Sequence, residues 1–261
     1  MPDSVRYVVS SVLDPGTGAA SSTASGLPYT NVKDVLVRKV YRTTGKANEW
    51  VRLRASGGAT SINYIGIFNH NLTKNASVLW QGNSTSNFAS GPALSTALSV
   101  VTDAQGNVIP KISNFYAALQ SYPHWRLYIK DNGNASSTLE IGRIFAGRYT
   151  QPTRNIRDEF QIRWIDPSRR MMTAGRQGYT NLRTKYQEFE VGHGDVNEEQ
   201  IDTMYGIFNE VGKHTAFVFA LDPDSRPSHN TIYCEFQSDL NATHRVVRQY
   251  GLNSIVLSEK N

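Results

Sequence analysis

The chain has 261 residues, of which 39% are hydrophobic, 19% charged and 10% aromatic. This composition excludes a disordered chain and provides enough apolar side chains for a core, and the abundance of Ser, Thr, Asn, Gly and Tyr favours strands and turns. The formal net charge of +5 divides into +7 over residues 1–150 and −2 over residues 151–261, but the cations are dispersed. We therefore expect a solvated basic surface and no nucleic-acid partner.

Targeting and redox signals are few. Cys234 is the single cysteine, so an intramolecular disulfide and a cysteine zinc site are both excluded, and its alternating neighbours predict a buried strand position. The start of the chain has no basic region followed by a long apolar run, and no stretch approaches the roughly 18 apolar residues of a membrane span. We expect synthesis in the cytosol, no signal peptide and no membrane insertion.

The first half of the chain consists of closely spaced predicted strands. Apolar alternation predicts them over residues 4–13, 34–43, 49–55, 62–69, 77–83, 124–131 and 138–149. A Gly/Ser/Pro loop is predicted over 14–28 and a weakly patterned stretch over 88–120, whereas Asn132 and Gly133 predict a hairpin turn. Because no helix separates these strands, residues 1–150 are predicted to form a β-sandwich or jelly roll.

The second half, residues 151–261, is predicted to be a β-rich (α+β) domain. Its predicted strands are 159–166, 182–192, 215–222, 231–237, 244–251 and 253–259. One helix near 197–211 is predicted from apolar residues at helical spacing, with Asn197 and Gln200 resembling a capping box and Gly212 ending the helix. We expect this helix to cover a mainly antiparallel sheet.

Residues with catalytic or metal-binding chemistry do not form a recognisable set. The six histidines are isolated in sequence, and no Gly-x-Ser-x-Gly motif occurs. Asp222 and Asp224 are interpreted as turn residues because the spacing of a calcium loop is missing. We therefore predict that the protein is not an enzyme and has no cofactor, metal or catalytic residue. The four tryptophans are predicted to pack in the core: Trp50, Trp80, Trp125 and Trp164.

The segment "FNHNL" between two predicted strands is the one candidate contact site. In the leading interpretation, Asn69 and Asn71 satisfy backbone groups in a turn and His70 is exposed. In the alternative interpretation, Asn69, His70 and Asn71 form part of a loop that touches a glycan or a neighbouring subunit.

Several segments together resemble known families. The stretches "INYIGIFNHNLTKNASVLWQGN" and "HWRLYIKDNGNASSTLEIGRIFAGR" resemble a strand–turn–strand and a late hairpin of galactose-binding-like (discoidin, F5/8 type C-like) jelly rolls. The second half, with "YQEFEVG", a capped helix, "TAFVFALDPDS" and a terminal "NSIVLSE", is similar to domains of tail-tip proteins in tailed bacteriophages. The combination resembles a distal-tail or baseplate-type minor tail protein.

This resemblance implies a structural virion component located at the tail tip and involved in host attachment. Such a protein would form a homo-oligomeric ring or peg and contact other tail proteins, namely the tail tube and the hub. The alternative function is a carbohydrate-binding adhesion module that attaches to a cell-surface glycan. A hydrolase with two spatially close carboxylates is a third candidate.

Overall fold

The computed structural model describes residues 5–156, 160–173, 175–246 and 249–260. The chain contacts divide it into two compact units. The jelly-roll unit comprises Arg6–Gln151 and Phe219–Thr231, and the second unit comprises Met1–Val5, Pro152–Val218 and Ile232–Asn261. Four residues that the sequence assigns to strands lie outside the described residues: Ser4, Glu159, Val247 and Arg248.

The regular elements of the jelly-roll unit are mainly strands. They are β1 (Arg6–Val8), β2 (Thr17–Ala20), β3 (Tyr41–Arg42), β4 (Glu49–Arg54), β5 (Thr60–His70), β6 (Ser77–Asn83), β7 (Leu94–Leu98), β8 (Lys111–Tyr122), β9 (His124–Lys130) and β10 (Glu140–Gly147). A 3₁₀ helix occupies Tyr29–Lys33.

Two antiparallel sheets of this unit enclose one core. The five-stranded sheet has the order β2-β4-β9-β6-β7, and the four-stranded sheet has the order β3-β10-β5-β8. Alternate residues of each strand point inward, because successive side chains of a strand lie on opposite faces. The stacked indoles of Trp80 and Trp125, with ring centroids 5.6 Å apart, lie in this core together with Ile65, Leu127 and Ile144. The predicted jelly-roll sandwich is confirmed.

The second unit is β-rich and contains one long helix. Its strands are β11 (Gln161–Ile165), β12 (Arg169–Met172), β13 (Gly178–Asn181), β14 (Tyr186–Val196), β17 (Ala242–Val246) and β18 (Gln249–Glu259). Two further strands are shared between the units at the points where the chain passes from one to the other: β15 (Phe217–Ala220) and β16 (Thr231–Phe236). Strands β16, β18, β14 and β11 are neighbours in that order, and β17 pairs with β18.

The helix α1 (Glu198–Val211) covers this sheet, as the sequence predicts. Its apolar residues Met204, Ile207 and Val211 are buried, and the ring of Phe208 meets that of Phe236 edge to face with centroids 5.4 Å apart. The predicted fold class, mainly β with a jelly roll and a second α+β unit, is therefore confirmed. A single-turn helix α2 (Pro227–Asn230) belongs to the jelly-roll unit, where the sequence predicts a turn.

The prediction of a strand over 34–43 is wrong for most of its length. Only Tyr41 and Arg42 form a strand, and the Asp34 carboxylate instead accepts hydrogen bonds from the Leu36 N–H and the Lys39 ammonium. Local bonds of this kind compete with a strand ladder. They leave Leu36 half-exposed in a loop.

Strands also occur in three segments for which no strand is predicted. The loop predicted over 14–28 contains β2, the weakly patterned stretch over 88–120 contains β7 and part of β8, and the segment between the strands predicted over 159–166 and 182–192 contains β12 and β13. All residues of β12 and β13 are exposed, so these strands lack the apolar alternation of a strand with one buried face. Exposure does alternate along β7, but its inward position Thr96 is polar and only Leu98 of its residues is buried.

The division of the chain differs from the predicted domains in one segment. The main boundary lies at Gln151 and Pro152, beside the predicted one, but 219–231 belongs to the jelly-roll unit rather than to the second domain. The physical reason is a set of contacts inside the jelly-roll unit. The Ser113 N–H donates to the Ser228 hydroxyl at 3.0 Å. The ring centroids of Phe219 and Tyr7 are 5.2 Å apart.

Candidate functional site

Asn69 lies near the end of β5 and Asn71 directly follows the strand, and the side chains of both bond to backbone groups. Asn69 has a φ of +60° and donates from Nδ2 to the Val37 carbonyl at 2.7 Å. Asn71 donates from Nδ2 to the Thr138 carbonyl at 3.0 Å and accepts from the Glu140 N–H at 2.8 Å. The prediction that these asparagines satisfy backbone groups is confirmed, but Asn69 belongs to β5 rather than to a turn.

His70 is buried, so the prediction that it is exposed is wrong. Only 6% of its surface is accessible, because β5 carries it inward at the sandwich end, where its Nδ1 accepts a hydrogen bond from the Leu72 N–H at 3.2 Å. Burial lowers its pKa to about 4, although the charge of Asp131 acts in the opposite direction. The imidazole is therefore neutral at pH 7. A contact of Asn69, His70 and Asn71 with a glycan or subunit stays a prediction.

Asp131 completes the polar network beside His70. Its carboxylate accepts from the Thr73 N–H at 2.8 Å, from the Thr73 hydroxyl at 2.6 Å and from the Asn134 amide at 3.0 Å. Asn134 also donates to the Asn71 carbonyl at 2.9 Å. Because these bonds join the turn after β5 to the turn after β9, the polar residues around "FNHNL" have a clear structural role.

The outer face of the five-stranded sheet carries a second, more exposed group of functional side chains. In β4 and β9 the core residues Val51, Leu53, Trp125 and Leu127 alternate with outward residues. The register places three outward pairs opposite each other: Trp50–Tyr128, Arg52–Arg126 and Arg54–His124. We name this surface the arginine–aromatic face, which consists of Trp50, Arg52, Arg54, Gln81, His124, Arg126 and Tyr128.

Two arginines of this face are held in place by neutral partners. Arg126 donates from Nε to Gln81 Oε1 at 2.7 Å, and Arg52 donates from Nη1 to the Ser86 carbonyl at 2.7 Å. The Arg126 guanidinium also lies 4.3 Å from the ring centroid of Phe88, which belongs to the segment after β6. These contacts order the cations without neutralising them.

The electrostatics of the face follow from this arrangement. Burial lowers the pKa of Arg126, the Tyr128 phenol opposes that shift and the charge of Arg52 adds to it. Burial also lowers the pKa of His124, and the charges of Arg54 and Arg52 lower it further. In the described part of the chain, no carboxylate forms an ion pair with any arginine of this face. The face therefore presents uncompensated positive charge.

Sequence reasoning missed this face, although a signal was present. The segments "WVRLR" and "HWRLYIK" alternate apolar and basic residues, so the basic members of each must share one face of a strand. The pairing of β4 with β9, which brings the two sets together, is not visible in the sequence. Trp50 consequently lies on the outer face, whereas Trp80 and Trp125 are in the core as predicted.

An exposed hairpin in the second unit is another candidate interaction site. We name β12 and β13 the arm, because in the described part of the chain they pair only with each other. All eight residues of the arm strands are exposed, and Met171 lies opposite Tyr179. The flanking Leu182 and Trp164 are 82% and 69% exposed, so the prediction that Trp164 packs in the core is wrong.

A cavity of about 310 Å³ also lies in the jelly-roll unit, between α2 and strands β7 and β8. Leu98 and Ile112 form part of its wall, together with Arg226 and His229. The His229 ring lies 3.3 Å from the Thr102 carbonyl, so its nearest polar contact is structural.

The described residues lack two features that would indicate other functions, a metal site and a membrane-spanning helix. Those residues contain no group of three or more His, Cys, Asp or Glu side chains that could hold a metal ion. Within the same residues, each helix is too short or too polar to cross a bilayer.

Comparison with known proteins finds similarity to solved structures of carbohydrate-binding domains. No family model matches the chain, and no curated protein matches it. The lectin domain of lectinolysin complexed with Lewis B antigen is similar at 16% identity and a TM-score of 0.41, covering 54% of this chain and 98% of that one.

Two further similar structures are a Streptococcus pneumoniae fucose-binding module and the family 32 CBM from C. perfringens NanJ in complex with galactose. The fucose-binding module has 9% identity and a TM-score of 0.41, covering 53% of this chain and 94% of its own. The C. perfringens module has 11% identity and a TM-score of 0.40, covering 56% of this chain and 99% of its own.

Proposed function

We propose that this chain is a structural protein that self-assembles through the arm into a symmetric ring. The exposed arm carries the proposal. A solitary two-stranded hairpin is marginally stable in water, so it needs a surface to pack against. Met171, Met172 and Tyr179 are each more than half exposed on it, and contiguous exposed apolar groups mark protein–protein interfaces.

The charges of the second unit support a head-to-tail contact between copies. Arg169, Arg170 and Arg183 lie in or beside the arm, and the exposed residues of α1 include the acids Glu198, Glu199, Asp202 and Glu210. One chain thus offers a basic apolar projection and an acidic helical surface. A heterologous contact of this kind generates a closed ring when the rotation between copies closes.

The setting of this ring is proposed from the resemblance to distal-tail proteins. In this proposal the protein is made in the host cytosol and incorporated into the tail tip of a virion. There it contacts the tail tube and the hub, and it contributes to host attachment without an enzymatic activity of its own.

The test is analytical ultracentrifugation over a range of concentrations, followed by negative-stain microscopy of the largest species. We expect rings for the unmodified chain and monomers for the double variant Met171→Asp/Tyr179→Asp. Leu119→Asp, a similarly exposed position on β8 of the jelly-roll unit, is the matched control and should leave the rings intact. Monomers at every concentration for the unmodified chain, or rings that survive the double variant, would contradict the proposal.

Carbohydrate binding by the jelly-roll unit is a second candidate function, and the arginine–aromatic face favours it. Trp50 and Tyr128 lie side by side there on a rigid sheet, and aromatic rings beside ordered hydrogen-bond donors are a usual lining of ligand sites. The Asn69–Asn71 segment stays a further predicted contact with a glycan. A glycan array tests this function: Trp50→Ala should lose binding, whereas Trp164→Ala in the second unit should retain it.

A further inference from the structure

We infer that the arginine–aromatic face binds an acidic polysaccharide, with Arg52 and Arg126 holding a sugar carboxylate and Trp50 and Tyr128 supporting the sugar ring. This inference rests on the proposed carbohydrate-binding function and specifies its ligand. The arrangement of charge on the face leads to this conclusion.

Arg52 and Arg126 occupy a cross-strand pair in which two like charges repel each other. They lie directly opposite each other on β4 and β9, and side chains in such positions have Cβ atoms about 5 Å apart. Like charges there are destabilising, and no carboxylate in the described residues relieves them. An anion bound between the two guanidinium groups would remove this repulsion.

Both guanidinium groups are prepared for such a ligand. Each uses one of its five N–H groups in a hydrogen bond, to Gln81 or to the Ser86 carbonyl, and the aromatic contacts with Phe88 and Trp50 further restrict them. Ordering side chains before binding reduces the entropic cost of association. A guanidinium matches the two oxygens of a carboxylate, so the pair is suited to that anion.

The neighbouring aromatic row favours a sugar as the carrier of the carboxylate. Trp50 and Tyr128 are two residues along β4 and β9 from the arginine pair, which corresponds to about 6.7 Å along the strands. The C–H groups of a sugar ring pack on aromatic faces. A uronic acid unit presents such a ring and a carboxylate together, so one unit can contact both rows.

A single-stranded nucleic acid fits the face less well. Its binding sites use aromatic rings on which successive bases stack. Here one row presents rings, whereas the following two rows present Arg52 with Arg126 and Arg54 with His124. We therefore favour a saccharide, and nucleic acid is one of the outcomes that the test distinguishes.

The experiment measures the affinity of the full chain for three uronate polymers: polygalacturonate, alginate and hyaluronate. Each is compared with its carboxyl-reduced neutral form, and oligo-dT is included as a polyanion without sugar carboxylates. We expect at least one uronate to bind at least tenfold more tightly than its reduced form and than oligo-dT. Arg52→Gln/Arg126→Gln should lose at least tenfold in affinity, whereas Arg38→Gln/Arg148→Gln, which removes the same charge from exposed positions elsewhere on the jelly-roll unit, should lose less than twofold.

The other possible results each contradict a different part of the proposal. Equal binding of uronate and reduced polymer would reject the carboxylate site and leave carbohydrate binding standing. If the chain binds none of these polymers and no glycan on the array, the carboxylate site and the proposed carbohydrate binding are both rejected. Tighter binding of oligo-dT would identify a nucleic-acid site instead. A circular dichroism melt of each variant confirms that it is folded.

Discussion

At the residue scale, the two buried histidines make stability depend on pH. Burial lowers the pKa of His70 and of His193 to about 4, from an ordinary value of 6.5. Below pH 6.5 the unfolded chain takes up protons that the folded chain does not. Stability is therefore fully present above pH 6.5 and falls towards pH 4, by up to about 1.4 kcal/mol per pH unit for each histidine.

His70→Gln should remove the contribution of one histidine, and the Gln carbonyl can still accept from the Leu72 N–H. We expect urea unfolding between pH 4 and pH 7 to show a shallower decline for this variant. His193, which is unchanged in it, contributes to the decline that remains. An identical pH slope in both proteins would show that His70 is protonated in the folded state.

Arg143 and Asp14 form a second test at this scale. The arginine is almost fully buried and donates to the two Asp14 oxygens at 2.8 and 2.5 Å. Asp14→Asn removes the negative charge and leaves the cation buried, which should cost about 3 kcal/mol in urea unfolding because the carboxylate is itself partly exposed. Arg143→Met in the same background should recover part of this loss. A cost below about 0.5 kcal/mol for Asp14→Asn, typical of a surface change, would contradict the expectation.

The residues differ in how far the sequence determines their environment. Cys234 is buried in a strand as predicted, because its neighbours alternate and the strand lies in a covered sheet. Trp164 has similar alternating neighbours, but it lies on β11, the last strand on its side of the sheet, and is exposed. Alternation of apolar and polar residues indicates that the two faces of a strand differ. It does not indicate whether another element covers the apolar face.

At the element scale, α1 is the element most fully predicted. Asn197 Oδ1 accepts the Gln200 N–H at 3.0 Å, and Gly212 ends the helix with a φ of +54°. The capping box itself differs, because the Gln200 side chain bonds to Arg154 and Thr153 and does not return to Asn197. Helix signals are local, which is why sequence finds them, whereas the partner of Gln200 is more than forty residues away.

The helix cap provides a prediction. Asn197→Ala removes the acceptor for the Gln200 N–H and should lower the free energy of unfolding by about 1 kcal/mol. Asn197→Asp keeps the acceptor and adds a negative charge at the positive end of the helix dipole, so it should match the unmodified protein. Urea unfolding followed by circular dichroism compares the three. Equal losses for Ala and Asp would argue against a capping role.

The arm and the arginine–aromatic face show why the candidate sites escape sequence reasoning. Every strand residue of the arm is exposed, so the arm lacks the alternation that identifies a strand with one buried face. The face depends on the pairing of β4 with β9, whose paired residues are 70 to 80 positions apart in the chain. The partners of Asn69 and Asn71 are also distant in the chain, but their role is predictable because asparagine side chains commonly bond to backbone groups where a strand ends.

At the scale of the whole molecule, the jelly-roll unit is discontinuous, and this has a measurable effect on stability. Residues 219–231 contribute Asp224, which accepts from Arg6 at 3.0 and 3.2 Å, and Ser228, which accepts from Ser113. A fragment of residues 1–151 should therefore melt at a lower temperature than the same fragment joined to 219–231 through a flexible Gly/Ser linker.

The control for that comparison is a fusion that carries a scrambled 219–231 segment on the same linker. Differential scanning calorimetry should show stabilisation by the native segment alone. Equal melting temperatures for all three fragments would mean that 6–151 folds without help from the segment. The sequence predicts the main boundary near residue 151 from a Pro-containing stretch. The membership of residues 219–231 in the jelly-roll unit has no local sequence signal, because it depends on contacts with residues far away in the chain.

The return of the chain to the jelly-roll unit also fixes an order of events during synthesis. The ribosome releases the amino end first, yet the last segment of this unit ends at Thr231, after all of residues 152–218 have been made. The larger unit therefore reaches its full stability only after most of the second unit has been made. Translation stalled just before residue 219 should leave the nascent jelly roll protease-sensitive, and translation past residue 231 should protect it.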